Sequence, residues 1–312
     1  MATTENKKTS SVRCGTENED ARHQKRSIPM LDRRDFLKAG ATGAVSMMCG
    51  APLVGAAATP GGDLMTQYSD VIIDAMRDIV KDERANILKA ADLLSDNANA
   101  GKLLHVYGAG GHSAIAAMEI FWRAGGLACV NGMFPVGTNV MTAGPTTAKV
   151  EGFAPYIFSF YDVNPGDTLI LVNFYGLNIT AVDMALEAKK RGVKLVTINA
   201  KKFAKKVPKS FKWRHSSKMD INDLADIAID NHVPYPDAIL KVPGLEEEIT
   251  PTATILTCFT INCLMSETIR LMVEKGGKPE IWVSNNIPNC DEHNKPIHDK
   301  YRHRVHHLYP VW

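Results

Sequence analysis

The sequence has almost no net charge. Its 36 Lys and Arg stand against 34 Asp and Glu, so it offers neither a basic field for nucleic acid nor a cationic face for a membrane surface. Cysteine is sparse, with six residues and no Cys-x-x-Cys spacing, which excludes a zinc ribbon and a disulfide scaffold. No Lys-Ser or Lys-Thr follows the glycine-rich segment at 108–111, so there is no Walker loop. An uncharged, Ala- and Gly-rich stretch near the N-terminus, Ala39 to Ala58, is studded with Gly40, Gly43, Gly50, Pro52 and Gly55. That is poor material for a membrane-spanning helix.

What is present begins with that stretch. Asp32-Arg33-Arg34-Asp35-Phe36-Leu37-Lys38 precedes it and Ala56-Ala57-Ala58 closes it, which reads as a twin-arginine export signal with a long polar leader over 1–58. The expected location is outside the cytoplasm, in the periplasm or beyond. Without the signal, 27 basic residues face 28 acidic ones, and a small molecule becomes the default partner.

The most informative segment runs from Lys102 to Arg123. An apolar run to Tyr107, the turn Gly108-Ala109-Gly110-Gly111-His112-Ser113 and a helical pattern from Ala114 to Arg123 follow one another. This order sets backbone N–H groups and the positive end of a helix beside the carboxyl end of a strand. It is not a dinucleotide fingerprint, because Ser113 stands where a third glycine belongs. The next strand, Leu127–Val130, ends in Asn131, and no acidic residue follows before Glu151.

Further along, apolar spacings of three and four predict N-terminal helices over 64–97. Strands are predicted at Thr168–Asn173, Lys194–Asn199 and Ile227–Asp230, and helices over 181–191 and 250–275. Thr250 suits a cap and Pro251 the first helical position of the last of these. A short helix over 291–308, with Asp291 as its cap, closes the chain. Strands alternating with helices make an α/β fold with a parallel sheet. The expected organisation is one domain over 59–312, with a core at 102–290.

Several blocks resemble the sugar isomerase, or SIS, domain family over about residues 66–308, in particular its bacterial sugar isomerase-like, phosphoheptose isomerase-like branch. They are the Gly108–Ser113 turn, Arg123–Ala128, Met184–Gly192, Arg214-His215-Ser216-Ser217, Ala225–Asn231 and Asp291-Glu292-His293-Asn294. The resemblance implies a three-layer sandwich on a five-stranded parallel sheet, dimers or tetramers with sites at subunit edges, and isomerisation or binding of phosphorylated sugars. It also implies a Ser-x-Ser-Gly turn for the phosphate. Here the turn reads Asn173-Phe174-Tyr175-Gly176-Leu177-Asn178, with both serines missing. Phe174 and Tyr175 instead offer aromatic faces for a sugar ring, and an unphosphorylated or acidic saccharide becomes the expected ligand.

The candidate binding residues are Gly108, Gly110, Gly111, Ser113, Asn173, Tyr175, Asn178, His215, Ser216, Thr252 and Thr254. Aldose–ketose isomerisation needs a base between adjacent carbons and an acid at the ring or carbonyl oxygen. His112 and Glu119, two helical turns apart, are the candidates. The resemblance adds His293, as a late-chain histidine that reaches a neighbouring subunit's site, and Glu267 is a further carboxylate among apolar neighbours. Each has a plainer role: pairing with Arg123 for Glu119, and capping for His112, Thr252 and Thr254. His298, His303, His306 and His307 read as a solvated helix face. No metal ligand set and no cofactor motif is recognised. Three functions remain: a sugar isomerase, a non-catalytic carbohydrate-binding or sensing module, and a sugar lyase or etherase.

Overall fold

The computed structural model describes residues 63–137 and 149–309. The stretch expected to be an export signal lies outside the described residues. Two helices come first, α1 (Leu64–Asp82) and α2 (Arg84–Asn99). The Asp63 carboxylate starts α1 by accepting from Met65 N at 2.9 Å and Thr66 N at 3.0 Å. The break falls at Glu83, which is buried and bound to Lys201 Nζ at 3.1 Å.

The chain then alternates: β1 (Leu104–Gly108), α3 (Ser113–Ile120), β2 (Val130–Met133), α4 (Ala154–Phe160), β3 (Thr168–Val172), α5 (Ile179–Arg191), β4 (Lys194–Asn199), α6 (Lys201–Lys206) and β5 (Ile227–Asp230). The five strands form one sheet in the order β2-β1-β3-β4-β5, every pair parallel. Both faces are covered, which explains why the β3 run Thr168–Val172 is buried at every position rather than at alternate ones. Leu104, Val106, Ile170, Val172, Val196 and Ile198 face α2, α3 and the later helix α7 (Ala253–Glu274). Tyr107, Leu169, Leu171 and Leu195 face α4 and α5. The architecture is the expected three-layer α/β sandwich.

Gly108 lets the sandwich close at α3. A Cβ there would meet the Ser113 carbonyl and Ala114 at distances no real side chain tolerates. Gly192 ends α5 in the left-handed conformation at φ 71°, as its place after Lys189-Lys190-Arg191 predicts.

Four boundaries differ from the sequence reading. The second strand begins at Val130, not Leu127, because residues 125–128 pair elsewhere. Gly125 N donates to Trp282 O at 2.7 Å, Ala128 N to Glu280 O at 2.9 Å, and Trp282 N to Gly126 O at 3.0 Å. The helix α3 stops at Ile120, since Phe121 turns extended and Trp122 adopts φ 45°. Thr250 and Pro251 do not open the long helix; they belong to an antiparallel hairpin of β6 (Ala238–Leu240) and β7 (Ile249–Pro251), and α7 starts after it. The last helix, α8, spans Cys290–Tyr301 and follows Asn289, not Asp291. Beyond it the chain makes turns, so the four histidines do not share one helical face, although His303 and His306 are exposed as expected. His298 is buried and its Nε2 lies 2.8 Å from Tyr309 O, and His307 Nε2 lies 2.7 Å from the Tyr161 hydroxyl.

Candidate functional site

The sheet order makes a topological switch between β1 and β3: the chain leaves β1 toward β2 on one side and returns to β3 on the other. In open α/β sheets ligands bind at the carboxyl ends of such strands. The two loops there are 109–112 and 173–178, the pair singled out from the sequence.

Most polar groups of these loops are turned on one another. The buried Asn173 side chain donates through Nδ2 to Ala109 O at 2.6 Å. Its Oδ1 accepts from Gly176 N at 2.7 Å and Leu177 N at 3.2 Å. The Ser113 hydroxyl accepts from Phe174 N at 3.1 Å. Asn178 Nδ2 fills the space over Gly110, where a Cβ would come within 2.5 Å of it. At the 173–178 turn, where the resemblance expects the phosphate, the amides of Gly176 and Leu177 therefore hold an oxygen already, that of the Asn173 amide.

The same holds at two other predicted cradles. At the start of α7, Asp237 Oδ1 accepts from Thr252 N at 2.8 Å, Thr252 Oγ1 at 2.9 Å and Ala253 N at 2.9 Å. Thr252 is fully buried at the N-cap position with its hydroxyl donating to Asp237, which supplies the cap in its place; Thr254 is half-buried. At the 214–217 loop, Glu151 accepts from Ser216 N at 2.5 Å and Ser216 Oγ at 2.6 Å, with His215 Nε2 3.7 Å away. These hydrogen bonds, that of the Ser216 hydroxyl first, hold the Glu151 carboxyl below its usual range. Arg214 is buried too, and binds Asp220 and the carbonyls of Ala204 at 2.6 Å and Val207 at 2.8 Å. It braces the loop and offers nothing to an incoming anion.

The proposed acid–base residues share no hydrogen bond or ion pair among the described residues. Glu119 meets Arg123 Nε at 3.6 Å and accepts from Asn262 Nδ2 at 3.2 Å, which is the plainer reading of that residue. His293 sits on α8 with Nε2 2.8 Å from its own chain's Ile281 O. Glu267 is ion-paired with Arg270 at 2.7 Å. His112 is exposed beside the half-buried Gly111, makes no cap hydrogen bond to α3, and has no contact in common with the other two.

Next to the closed crevice lies an open cleft of about 550 Å³. The β3–α5 loop gives it Tyr175, Leu177 and Asn178, α6 gives Phe203, and the segment before Arg214 gives Phe211 and Trp213, with Tyr235 and Lys149 at its edge. Tyr175 stacks on Phe203 with ring centroids 4.2 Å apart, and Phe203 meets Tyr235 edge-on at 4.7 Å. The Tyr175 hydroxyl donates to Asp237 Oδ2 at 3.2 Å. Burial, then the Asp237 charge, pushes this phenol up to about 12. Phe211, Trp213 and Tyr235 remain 38%, 40% and 48% exposed, high for rings of that size and the mark of a surface that expects a partner. The sequence reading found Tyr175 and Asn178. It missed Phe203, Phe211 and Trp213, whose only sequence signal is aromatics interleaved with lysines over 201–213, and Tyr235, which lies between Pro234 and Pro236.

One cluster has the chemistry of a metal site. Glu83, Asp230 and His232 present ligand atoms within 4.8 Å of one another. Lys201 already neutralises it, with Nζ 3.1 and 3.3 Å from the two Glu83 oxygens and its N–H donating to Asp230 Oδ1 at 3.3 Å.

A parallel sheet in this order, with helices on both faces and loops converging at the β1/β3 switch, is a three-layer α/β sandwich, and residues 67–200 match the SIS domain model. The chain belongs to the family of UPF0309 proteins. It is 34% identical over 252 residues to the UPF0309 protein of Thermoanaerobacter pseudethanolicus, covering 78% of this chain and 100% of that one. It is 31% identical over 245 residues to that of Geobacillus thermodenitrificans, covering 78% and 96%. Among solved structures, the phosphoheptose isomerase from Neisseria gonorrhoeae matches with a TM-score of 0.41 at 12% identity, over 67% of this chain and 97% of that one.

Proposed function

We propose that this protein binds a carbohydrate derivative in the aromatic cleft beside the β1/β3 switch, as a binding or sensing module and not as an enzyme of the single chain. The observation that carries this reading is the contrast within the site: exposed rings line an open cleft, while His112, Glu119 and His293 share no hydrogen bond or ion pair among the described residues. Aromatic faces suit the C–H faces of a sugar ring. The missing serines and the self-satisfied loop amides argue against a phosphate at the turn. The twin-arginine pattern at Arg33-Arg34 supports an exported protein, meeting unphosphorylated or acidic saccharides.

The second reading is aldose–ketose isomerisation. One observation favours it, the exposed His112 at the mouth of the glycine turn. A thermal-shift screen with sugars, uronic acids and their phosphates, followed by exchange of substrate protons from heavy water, separates the two. Binding without exchange is the expected result; exchange abolished by His112→Ala would establish the isomerase and sink the module. The resemblance also supports a homo-oligomer. The side where α7 meets α1 and α2, with Val80, Ile87, Phe259 and Cys263 around a groove of about 420 Å³, is the surface such an assembly would cover. Light scattering that finds only monomer would remove it.

A further inference from the structure

The cleft's own chemistry specifies more than a sugar. A pyranose carries a hydroxyl at nearly every carbon, and each one taken from water without a partner costs about 1–3 kcal/mol. A wall that takes a bare sugar therefore carries side-chain amides and carboxylates. Here five aromatic rings and Leu177, Ile179, Val207 and Pro208 make up most of the lining. The Asn178 amide is one polar exception, and the Tyr175 hydroxyl is engaged by Asp237.

The charge at the rim has one sign. Lys149 lines the cleft with its Nζ 3.5 Å from the centre of the Trp213 ring, and Lys212 lies 4.9 Å from the same ring. Lys206 lies 5.3 Å from the Tyr235 ring. Among the described residues no Asp or Glu lines the cleft. These ammonium groups rest on ring faces, a position worth about 0.5–1 kcal/mol where exposed. They remain donors to an anion arriving at the rim.

From this we infer that the cleft takes a flat aromatic group carrying an anion, in the form of an aryl glycoside of a sugar acid: the aryl ring lies among Phe211, Trp213 and Tyr235, and the carboxylate faces Lys149. This rests on the carbohydrate reading of the same cleft and narrows its substrate class. A volume of about 550 Å³ accommodates such a two-ring molecule, which sits inside the range of small-molecule sites.

The test is calorimetry on the full chain with four probes: phenyl β-D-glucuronide, D-glucuronate, phenyl β-D-glucoside and phenylacetate. Phenyl glucuronide is expected to bind about tenfold tighter than glucuronate and about fivefold tighter than phenyl glucoside, the sizes of one ring contact and one exposed charge pair. Lys149→Met should erase the preference for the glucuronide over the glucoside. Trp213→Ala and, separately, Phe211→Ala should each weaken phenyl glucuronide about tenfold, with an unchanged circular dichroism spectrum. Glucuronate binding as tightly as phenyl glucuronide overturns the inference and leaves the carbohydrate reading standing. Phenylacetate binding as tightly as phenyl glucuronide overturns the inference and the carbohydrate reading together, because the sugar then contributes nothing. Heat from none of the four overturns both.

Discussion

The β1/β3 crevice and the aromatic cleft beside it share one loop, 173–178, yet they are built on opposite terms. In the crevice, Asn173 closes its own turn, Ser113 holds Phe174 N, and Asp237 and Glu151 sit at the two neighbouring sets of donors. Every one of those groups has a partner in the chain. In the cleft, three large rings stay more than a third exposed and the rim lysines rest on ring faces. A donor already satisfied within the protein gains little from a ligand, because binding first breaks the bond it has. An exposed ring has only water to lose. On the proposed reading the crevice is the scaffold, and the cleft is the surface that takes the ligand.

If that division is right, the largest effect on folding comes from Asn173. Asn173→Ala removes two acceptor bonds and one donor bond inside a site that is 2% exposed. It should cost about 3 kcal/mol of unfolding free energy, read as a lower urea midpoint. A stable Asn173→Ala protein that no longer binds ligand would reverse the comparison and make the crevice the ligand site. Next comes Asp237→Ala, which strips the start of α7 of its cap and Tyr175 of its acceptor. The loss expected is about 2 kcal/mol. Because Asp237 also anchors a cleft residue, this variant should loosen ligand binding as well, which Asn173→Ala at permissive temperature should not.

The sheet was legible because its signal is long and redundant. The runs Thr168–Val172 and Lys194–Asn199 are buried on both faces, and a continuous apolar run between turn signals has few other readings. Gly192 after three basic residues marked its helix end to the residue. The failures lie where a distant partner overrides a local signal. Leu127–Val130 looks like a strand, but Glu280–Trp282, more than 150 residues later, takes up its first half. Thr250-Pro251 is a good helix start, yet the β6/β7 hairpin claims it and Asp237, fifteen residues before Thr252, supplies the cap. The candidate site shows the same limit. Spacing identified which groups could meet an anion, but not that Asn173, Asp237 and Glu151 would arrive there first. The cleft was hardest, since Phe203, Phe211 and Trp213 are ordinary surface aromatics until the fold sets them around Tyr175.

Acidity probes the third internal cradle with a smaller effect. Glu151 is held below the usual carboxylate range when folded. Its contribution is therefore present above its ordinary titration range and lost as pH falls through its lowered folded value. Its side chain is 39% exposed, so solvent screens most of that contribution. The expected readout is local: a lower protection factor of the Ser216 amide, relative to its intrinsic exchange rate, at acid pH, with the midpoint of global unfolding little changed by Glu151→Gln. Exchange at Ser216 that ignores both pH and the substitution would show that the loop is held by Arg214 alone.

The smallest change in stability is expected at Trp213, and it sharpens the comparison most. Its ring is 40% exposed and its close neighbours are two mobile lysine stems, so Trp213→Ala removes little buried area. Unfolding free energy should move by no more than about 0.5 kcal/mol, as for other surface substitutions. A ring kept at the rim of a cleft without stabilising the fold has its role in what the cleft receives. If Trp213→Ala instead lowers the urea midpoint as far as Asp237→Ala does, the ring is packing rather than recognition, and the cleft joins the crevice as scaffold.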